Sequence, residues 1–171
     1  MADMRTGINP TQIDASAQFP IGLEVDDPRN GFPGNRIKYY KANGSITVNS
    51  VLICDVSATT AAERNATVVA SSAVSQAVEG VHDIATATVT SGQFFWGTCK
   101  GRAIAKTSAV TAATNAKLGT SGTAGTLVAI TAVTPSNAEV IAAIAAAVGK
   151  GVIALADTGT PTAGNSYVLL S

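Results

Sequence analysis

Between Thr107 and Gly149 the chain carries only two charged side chains, Lys117 and Glu139. So bare a stretch would not keep an exposed monomer soluble by itself, which implies burial against a partner or against copies of the same chain. The scarcity is general: charged residues make up 13% of the 171 positions, about half the share near 25% that soluble domains show. Most of the charge sits at the front, where residues 1–41 hold five of the eleven basic and five of the eleven acidic side chains. Equal totals leave no long-range field to gather phosphates, so neither nucleic acid nor an anionic membrane is expected as a partner.

The length suits one domain with a real core. Met1 to Pro20 is polar and mixed, unlike a secretory signal, so maturation in the cytoplasm is expected. Val140 to Val148 is too short to span a bilayer, which takes about 20 residues. Cys54 and Cys99 lie far apart and read as thiols acting as small hydrophobes.

Residues 1–18 show neither helical nor alternating periodicity and read as an extended arm, either reaching a neighbour or disordered, before a β-rich domain over 19–171. Phe19 to Val25 is expected as a short strand, and Asp26 to Asn35 as a loop broken by Pro28, Gly31, Pro33 and Gly34. Arg36 to Lys41 alternates like a strand with one wet face, and Asn43-Gly44 suggests a tight turn closing a hairpin with Ile46 to Val48. Val51 to Val56 and Thr67 to Val69 are further β candidates. A meander is expected from Ile84 to Thr90, Phe94 to Cys99 and Arg102 to Lys106, with turns at Ser91-Gly92 and Lys100-Gly101. Leu118 to Gly125 reads as a loop, and Leu127 to Val133, Val152 to Leu155 and Tyr167 to Leu170 as strands.

One helix is expected over 137–148: Ser136 and Glu139 form a capping box, Ala fills the interior and Gly149 stops it. Val140, Ile141 and Ile144 share its apolar stripe and are candidate contact residues, on the sheet or on a partner. Phe94-Phe95-Trp96 is a strand whose aromatics suit a core or a subunit contact better than a stacking platform for a sugar or base. The fold class is therefore mainly β, a barrel-like or sandwich-like single domain with one Ala-rich helix.

Catalytic chemistry finds little support. The lone His82, beside Asp83, has no nucleophile motif and enters a strand, where a hydrogen-bonded histidine is commoner than a base. Cys54, Cys99 and His82 lack zinc spacing. Asp26 to Ile37 fails as a calcium loop, with Pro28 at the third position and Ile37 at the twelfth. Gly149-Lys150-Gly151 ends a helix instead of opening one, the wrong end for a phosphate. Asn43-Gly44-Ser45 and Asn65-Ala66-Thr67 fit the glycosylation pattern by accident in a chain without a secretory signal. No catalytic, metal or cofactor site is expected, and the chain is expected not to be an enzyme.

Taken in order, several segments resemble the head decoration, or cement, proteins of tailed bacteriophages. They are Phe19-Pro20-Ile21-Gly22, Arg36 to Tyr40, Ala42 to Val48, and Val78 to Val81 leading through Ser91-Gly92-Gln93-Phe94-Phe95-Trp96-Gly97 to Cys99-Lys100-Gly101-Arg102-Ala103. Leu118 to Ser121, Ala124 to Thr126, Val148-Gly149 and Tyr167 to Leu170 complete the series; the Ala-rich helix and Ser57 to Ser75 depart from it. The resemblance implies a β-barrel-like or sandwich domain, often trimeric, on the outside of a virion and bound to the major capsid protein. Phe19, Ile21, Tyr39, Tyr40, Phe94, Phe95, Trp96, Val140, Ile141 and Ile144 are then the interface candidates. Another virion module, in a tail or fibre and engaging a receptor or glycan, is the alternative.

Overall fold

In a computed structural model, residues 7–27, 34–58, 60, 63, 66–73, 76–108, 117–129, 152–154 and 164–170 are described. The expected helix over 137–148, with Val140, Ile141 and Ile144, lies outside them. The expectation of a mainly β, barrel-like domain is borne out.

The strands in chain order are β1 (Ile13–Asp14), β2 (Glu24–Asp26), β3 (Arg36–Ala42), β4 (Ser50–Cys54), β5 (Thr67–Ala70), β6 (Gly80–His82), β7 (Phe94–Thr107), β8 (Lys117–Thr120), β9 (Thr126–Ala129), β10 (Val152–Ala154) and β11 (Gly164–Leu170). Pairings β3–β5, β5–β4, β4–β6, β6–β7 and β7–β3 return to their start, so these five strands close into a barrel. The far half of β7 leaves the barrel and pairs with β11 and β9. Through β9–β8, β8–β10 and β10–β11 the pairings close a second ring. β7 thus belongs to both rings.

Alternation sorts the side chains. Within the first barrel lie Tyr40, Ala42, Leu52, Val68, Phe95 and Cys99, joined by Ile46, Ala66 and Val89. Tyr40 occupies the space that Gly80 and Gly97 leave open: a Cβ on Gly80 would stand 2.7 Å from its hydroxyl and one on Gly97 3.2 Å from its ring. On the opposite face of β3 and β7, Ile37, Tyr39 and Trp96 form a second cluster with Ile8 and Ile84. Val51 and Val81, facing out of the first barrel, meet Ala103, Ala105, Leu118, Leu127 and Leu170 of the second ring.

Several local expectations are corrected. β3 has no wet face: Ile37, Lys38, Tyr39 and Tyr40 are all buried, because the barrel takes one side and the N-terminal segment covers the other. It forms no hairpin with Ile46 to Val48, where Ile46 makes a single bridge to Val89; β3 instead runs between β7 and the pair β2 and β5. Lys100-Gly101 is not a turn. Gly101 takes a positive φ of 91° inside β7, and there the Asn35 side chain replaces a strand partner. Its Oδ1 accepts from Arg102 N at 2.8 Å and its Nδ2 donates to Arg102 O at 3.1 Å.

Ile84 to Thr90 is not a strand either. Ile84 enters the outer cluster and the Ala87 carbonyl meets the His82 ring, so successive residues serve different sites. Of the expected first strand, Phe19 to Val25, only Glu24 and Val25 lie in β2; Gly22 N and Leu23 O still bond to Tyr39 of β3, but Leu23 N turns back to Pro20 O at 3.1 Å and Gly22 has a φ of 86°. Residues 118–120 of the expected loop belong to β8.

Candidate interaction surface

The N-terminal segment is fastened by Ile8, buried in the outer cluster, and by β1. Ile13–Asp14 adds to β7 opposite Phe95 and Phe94, which brings the buried Asp14 to β3. Tyr39 Oη donates to Asp14 Oδ2 at 2.7 Å, while Gln18 N donates to the same hydroxyl at 3.2 Å. Burial first, and the carboxylate second, push the Tyr39 hydroxyl up to about 12. Residues 7–18 therefore pack on their own domain, because a buried carboxylate and phenol satisfy each other there.

Around this bond the outer aromatics interlock. Phe19 meets Tyr39 and Trp96 edge-on, both at 5.4 Å between centroids; Tyr39 lies 5.0 Å from Trp96 and stacks on Phe94 at 6.0 Å. These separations are those at which aromatic pairs attract beyond their area burial. Tyr39, Tyr40, Phe95 and Trp96 are completely buried within the chain. Their apolar area is used in folding. Of the other interface candidates, Phe19, Ile21 and Phe94 are half-buried, as are Leu23 and Val25 beside them. Phe19, Leu23, Val25 and Phe94 pack on the outer cluster and leave a partly open apolar strip. Glu24 flanks it, within 3.4 Å of Arg36 and 3.8 Å of Lys38.

Charged and titratable groups near the barrel are held by neighbours. Lys38 Nζ lies 2.7 Å from Glu79 Oε1 and 5.8 Å from the centroid of the Tyr40 ring. Burial draws the Lys38 ammonium down, but the hydrogen bond and charge of Glu79 outweigh it, leaving the group above its ordinary value. Tyr40 Oη donates to Glu79 O at 3.3 Å, and burial raises that phenol well above its usual range. His82, wholly buried, is bonded through Nε2 to Ala87 O at 2.9 Å and stands edge-on to Phe95 at 4.9 Å. Burial lowers its pKa, partly offset by Ala87, with Lys106 lowering it further. Asp83 serves other partners, accepting from Thr98 Oγ1 at 2.7 Å and Ile104 N at 3.2 Å. His82 and Asp83 thus form no dyad.

A polar cleft of about 290 Å³ opens where β3 ends, lined by Lys41, Asn43, Asp55, Ser57, Glu63 and Thr67 among others. Lys41 Nζ and Glu63 Oε1 stand 3.6 Å apart. Asp55 Oδ1 accepts from Ser57 N at 2.9 Å and Ser57 Oγ at 2.6 Å, and its Oδ2 accepts from Asn43 Nδ2. The Ser57 hydroxyl first, then Asn43, hold this carboxyl below its ordinary value. Val56, 83% exposed, sits at the rim between Asp55 and Ser57. Composition did not reveal this cleft, whose residues come from the end of β3 and Asn43, the turn after β4, Glu63, the start of β5 and the Ser91-Gly92 turn; the turn signals at Asn43-Gly44 and Ser91-Gly92 were its traces in the sequence.

No family model and no curated protein matches the chain. Among solved structures it is similar to the N base of head fiber gp8.5 in bacteriophage phi29. The identity is 12%, the match covers 79% of this chain and 92% of that one, and the TM-score is 0.46.

Proposed function

We propose that the chain is a structural part of a tailed-phage virion that binds the outer capsid surface, self-associates as a trimer and cements neighbouring coat subunits. The observation that carries this reading is the half-buried strip of Phe19, Leu23, Val25 and Phe94, backed by a rigid aromatic cluster. A partner that covered it would remove apolar area from water without ordering a loop, since the cluster beneath is already packed. The segment order that resembles decoration proteins supports the same reading. Each contact need bury only ~800 Å² per partner, because three linked contacts raise avidity by roughly 10² to 10⁴. No catalysis is part of the proposal: the His82 ring is sealed in the core and Lys38 is paired.

The polar cleft favours a second reading, a tail or fibre module that engages a receptor or glycan. Purified protein added to capsids that lack it should bind saturably and raise their heat resistance, and light scattering should give the mass of a trimer. Absence of saturable binding, with capture on a glycan array, would replace the first reading by the second.

A further inference from the structure

The peptide between Asn43 and Gly44 stands where the β-ladder ends. Ala42 N bonds to Gln93 O at 2.8 Å, Asn43 N to Val68 O at 2.9 Å, and Ile46 N to Val89 O at 2.9 Å. Between these anchors Gly44 N makes no hydrogen bond among the described residues. Asn43 is exposed. Gly44, with a φ of 151°, brings no Cβ to shield its nitrogen. A free amide nitrogen next to an exposed carboxamide is the pair of groups that closes into a succinimide. One contact opposes it: Asp55 Oδ2 holds the Asn43 Nδ2 that must leave.

We propose that Asn43-Gly44 is a spontaneous deamidation site and that Asp55 is the group that slows it. Gly44 N gives up its proton and attacks Asn43 Cγ, forming a C–N bond. The Cγ–Nδ2 bond breaks and Nδ2 departs as ammonia, carrying the proton. Water then opens the five-membered ring at either carbonyl, leaving aspartate or isoaspartate at position 43. No oxidant, metal or enzyme is needed. While Asp55 grips Nδ2, the carboxamide is fixed and its nitrogen is a poorer leaving group, so the ring closes only when that bond opens. The product carries a negative charge against Asp55 in a chain whose formal net charge is zero, and the isoaspartyl form inserts a methylene into the backbone as it leaves β3. The ammonia is lost to solvent and the ring is consumed by water, so the change does not reverse.

This proposal is independent of where the protein binds. The native chain, Asp55→Ala, Asp55→Asn and Asn43→Gln are incubated at 37 °C in mildly alkaline buffer beside a urea-unfolded sample, then digested with trypsin. In the native chain the peptide 42–64 should gain about one mass unit, the exchange of an amide for an acid, as two separable products. Asp55→Ala should react about tenfold faster, the factor for freeing one hydrogen bond to a charged group. Asp55→Asn, which keeps the side-chain shape, should fall between, and Asn43→Gln should stay unchanged over the same period. An unchanged 42–64 peptide in the folded native chain, while the unfolded sample gains the mass, overturns the site. Equal rates in the native chain and both Asp55 variants overturn the role of Asp55.

Discussion

The two rings that share β7 reach closure by different means. The first is filled by Tyr40, Phe95 and His82 inside and by Tyr39 and Trp96 outside, with side-chain hydrogen bonds tying the layers together. The second ring is lined by Ala103, Ala105, Leu118, Leu127 and Leu170, with Val51, Val78 and Val81 of the first region against them. A ring of small and aliphatic residues relies on its ladder and on close approach; a ring of aromatics relies on shape. Substitutions should therefore separate them. Trp96→Ala should cost about 3–5 kcal/mol and Leu118→Ala or Leu127→Ala about 2–3 kcal/mol, read by urea unfolding. Equal costs would erase the contrast.

Gly101 tests the joint. An alanine there would place its Cβ 2.1 Å from Asn35 Oδ1 and 2.9 Å from Asn35 Cα, on a backbone with φ of 91°. Gly101→Ala should destabilise by about 2–3 kcal/mol, from left-handed strain and displaced Asn35 hydrogen bonds. In an Asn35→Ala background, where the side chain has gone but its backbone remains, the added cost should fall to about 1–2 kcal/mol. An unchanged penalty would mean that Asn35 does not couple the rings.

This joint also marks the limit of sequence reading. Lys100-Gly101 was expected as a turn, since glycine between two alternating runs usually is one; what overrides the signal is Asn35, far away in sequence, whose amide supplies the missing strand partner. Phe94 to Trp96 was readable as strand, and Tyr39-Tyr40 as strand, but not the division of each run between two faces, because both faces here are buried. β1, two residues long, was hidden for another reason. Nothing in Ile13–Asp14 by itself requires a strand; the requirement comes from the Tyr39 hydroxyl it meets. The cleft was unreadable because its residues are assembled by the barrel's closure.

Acid should discriminate between the rings more gently. His82 lies in the first, with Nε2 committed to Ala87 O and Nδ1 buried without a partner among the described residues. Among the described residues, the charged group that acts on it is Lys106, which disfavours a second positive charge. The folded pKa is thus below the unfolded value of 6.5. As pH falls through 6.5 the unfolded chain takes up a proton that the folded chain refuses, so stability from this group is full above 6.5 and declines below it. The slope should not exceed about 1.4 kcal/mol per pH unit, and His82→Gln should remove it. Hydrogen exchange should show the loss first at Tyr40 and Leu52 and last at Ala103. A slope unchanged by the substitution would assign the acid response to other groups.

The smallest effect concerns hydroxyls. Buried side-chain atoms without partners among the described residues are Arg36 Nε, Thr67 Oγ1, Ser71 Oγ, His82 Nδ1 and Trp96 Nε1, all in the first region. In the second, Thr126 Oγ1 bonds with Ser121 Oγ and donates to Thr123 O at 2.8 Å, and Thr120 Oγ1 accepts from Gln76 N at 2.8 Å. The same substitution should then act with opposite sign. Thr67→Val exchanges an unsatisfied hydroxyl for a methyl of like shape and should stabilise by about 0.5–1 kcal/mol; Thr126→Val removes the bonds of its hydroxyl to Ser121 Oγ and Thr123 O and should destabilise by about 1 kcal/mol. Thr67 also lines the cleft. A gain there would mean that the first region carries a polar group its fold does not use, whereas a loss would show that Thr67 Oγ1 finds a bond in solution and that the two rings satisfy their hydroxyls alike.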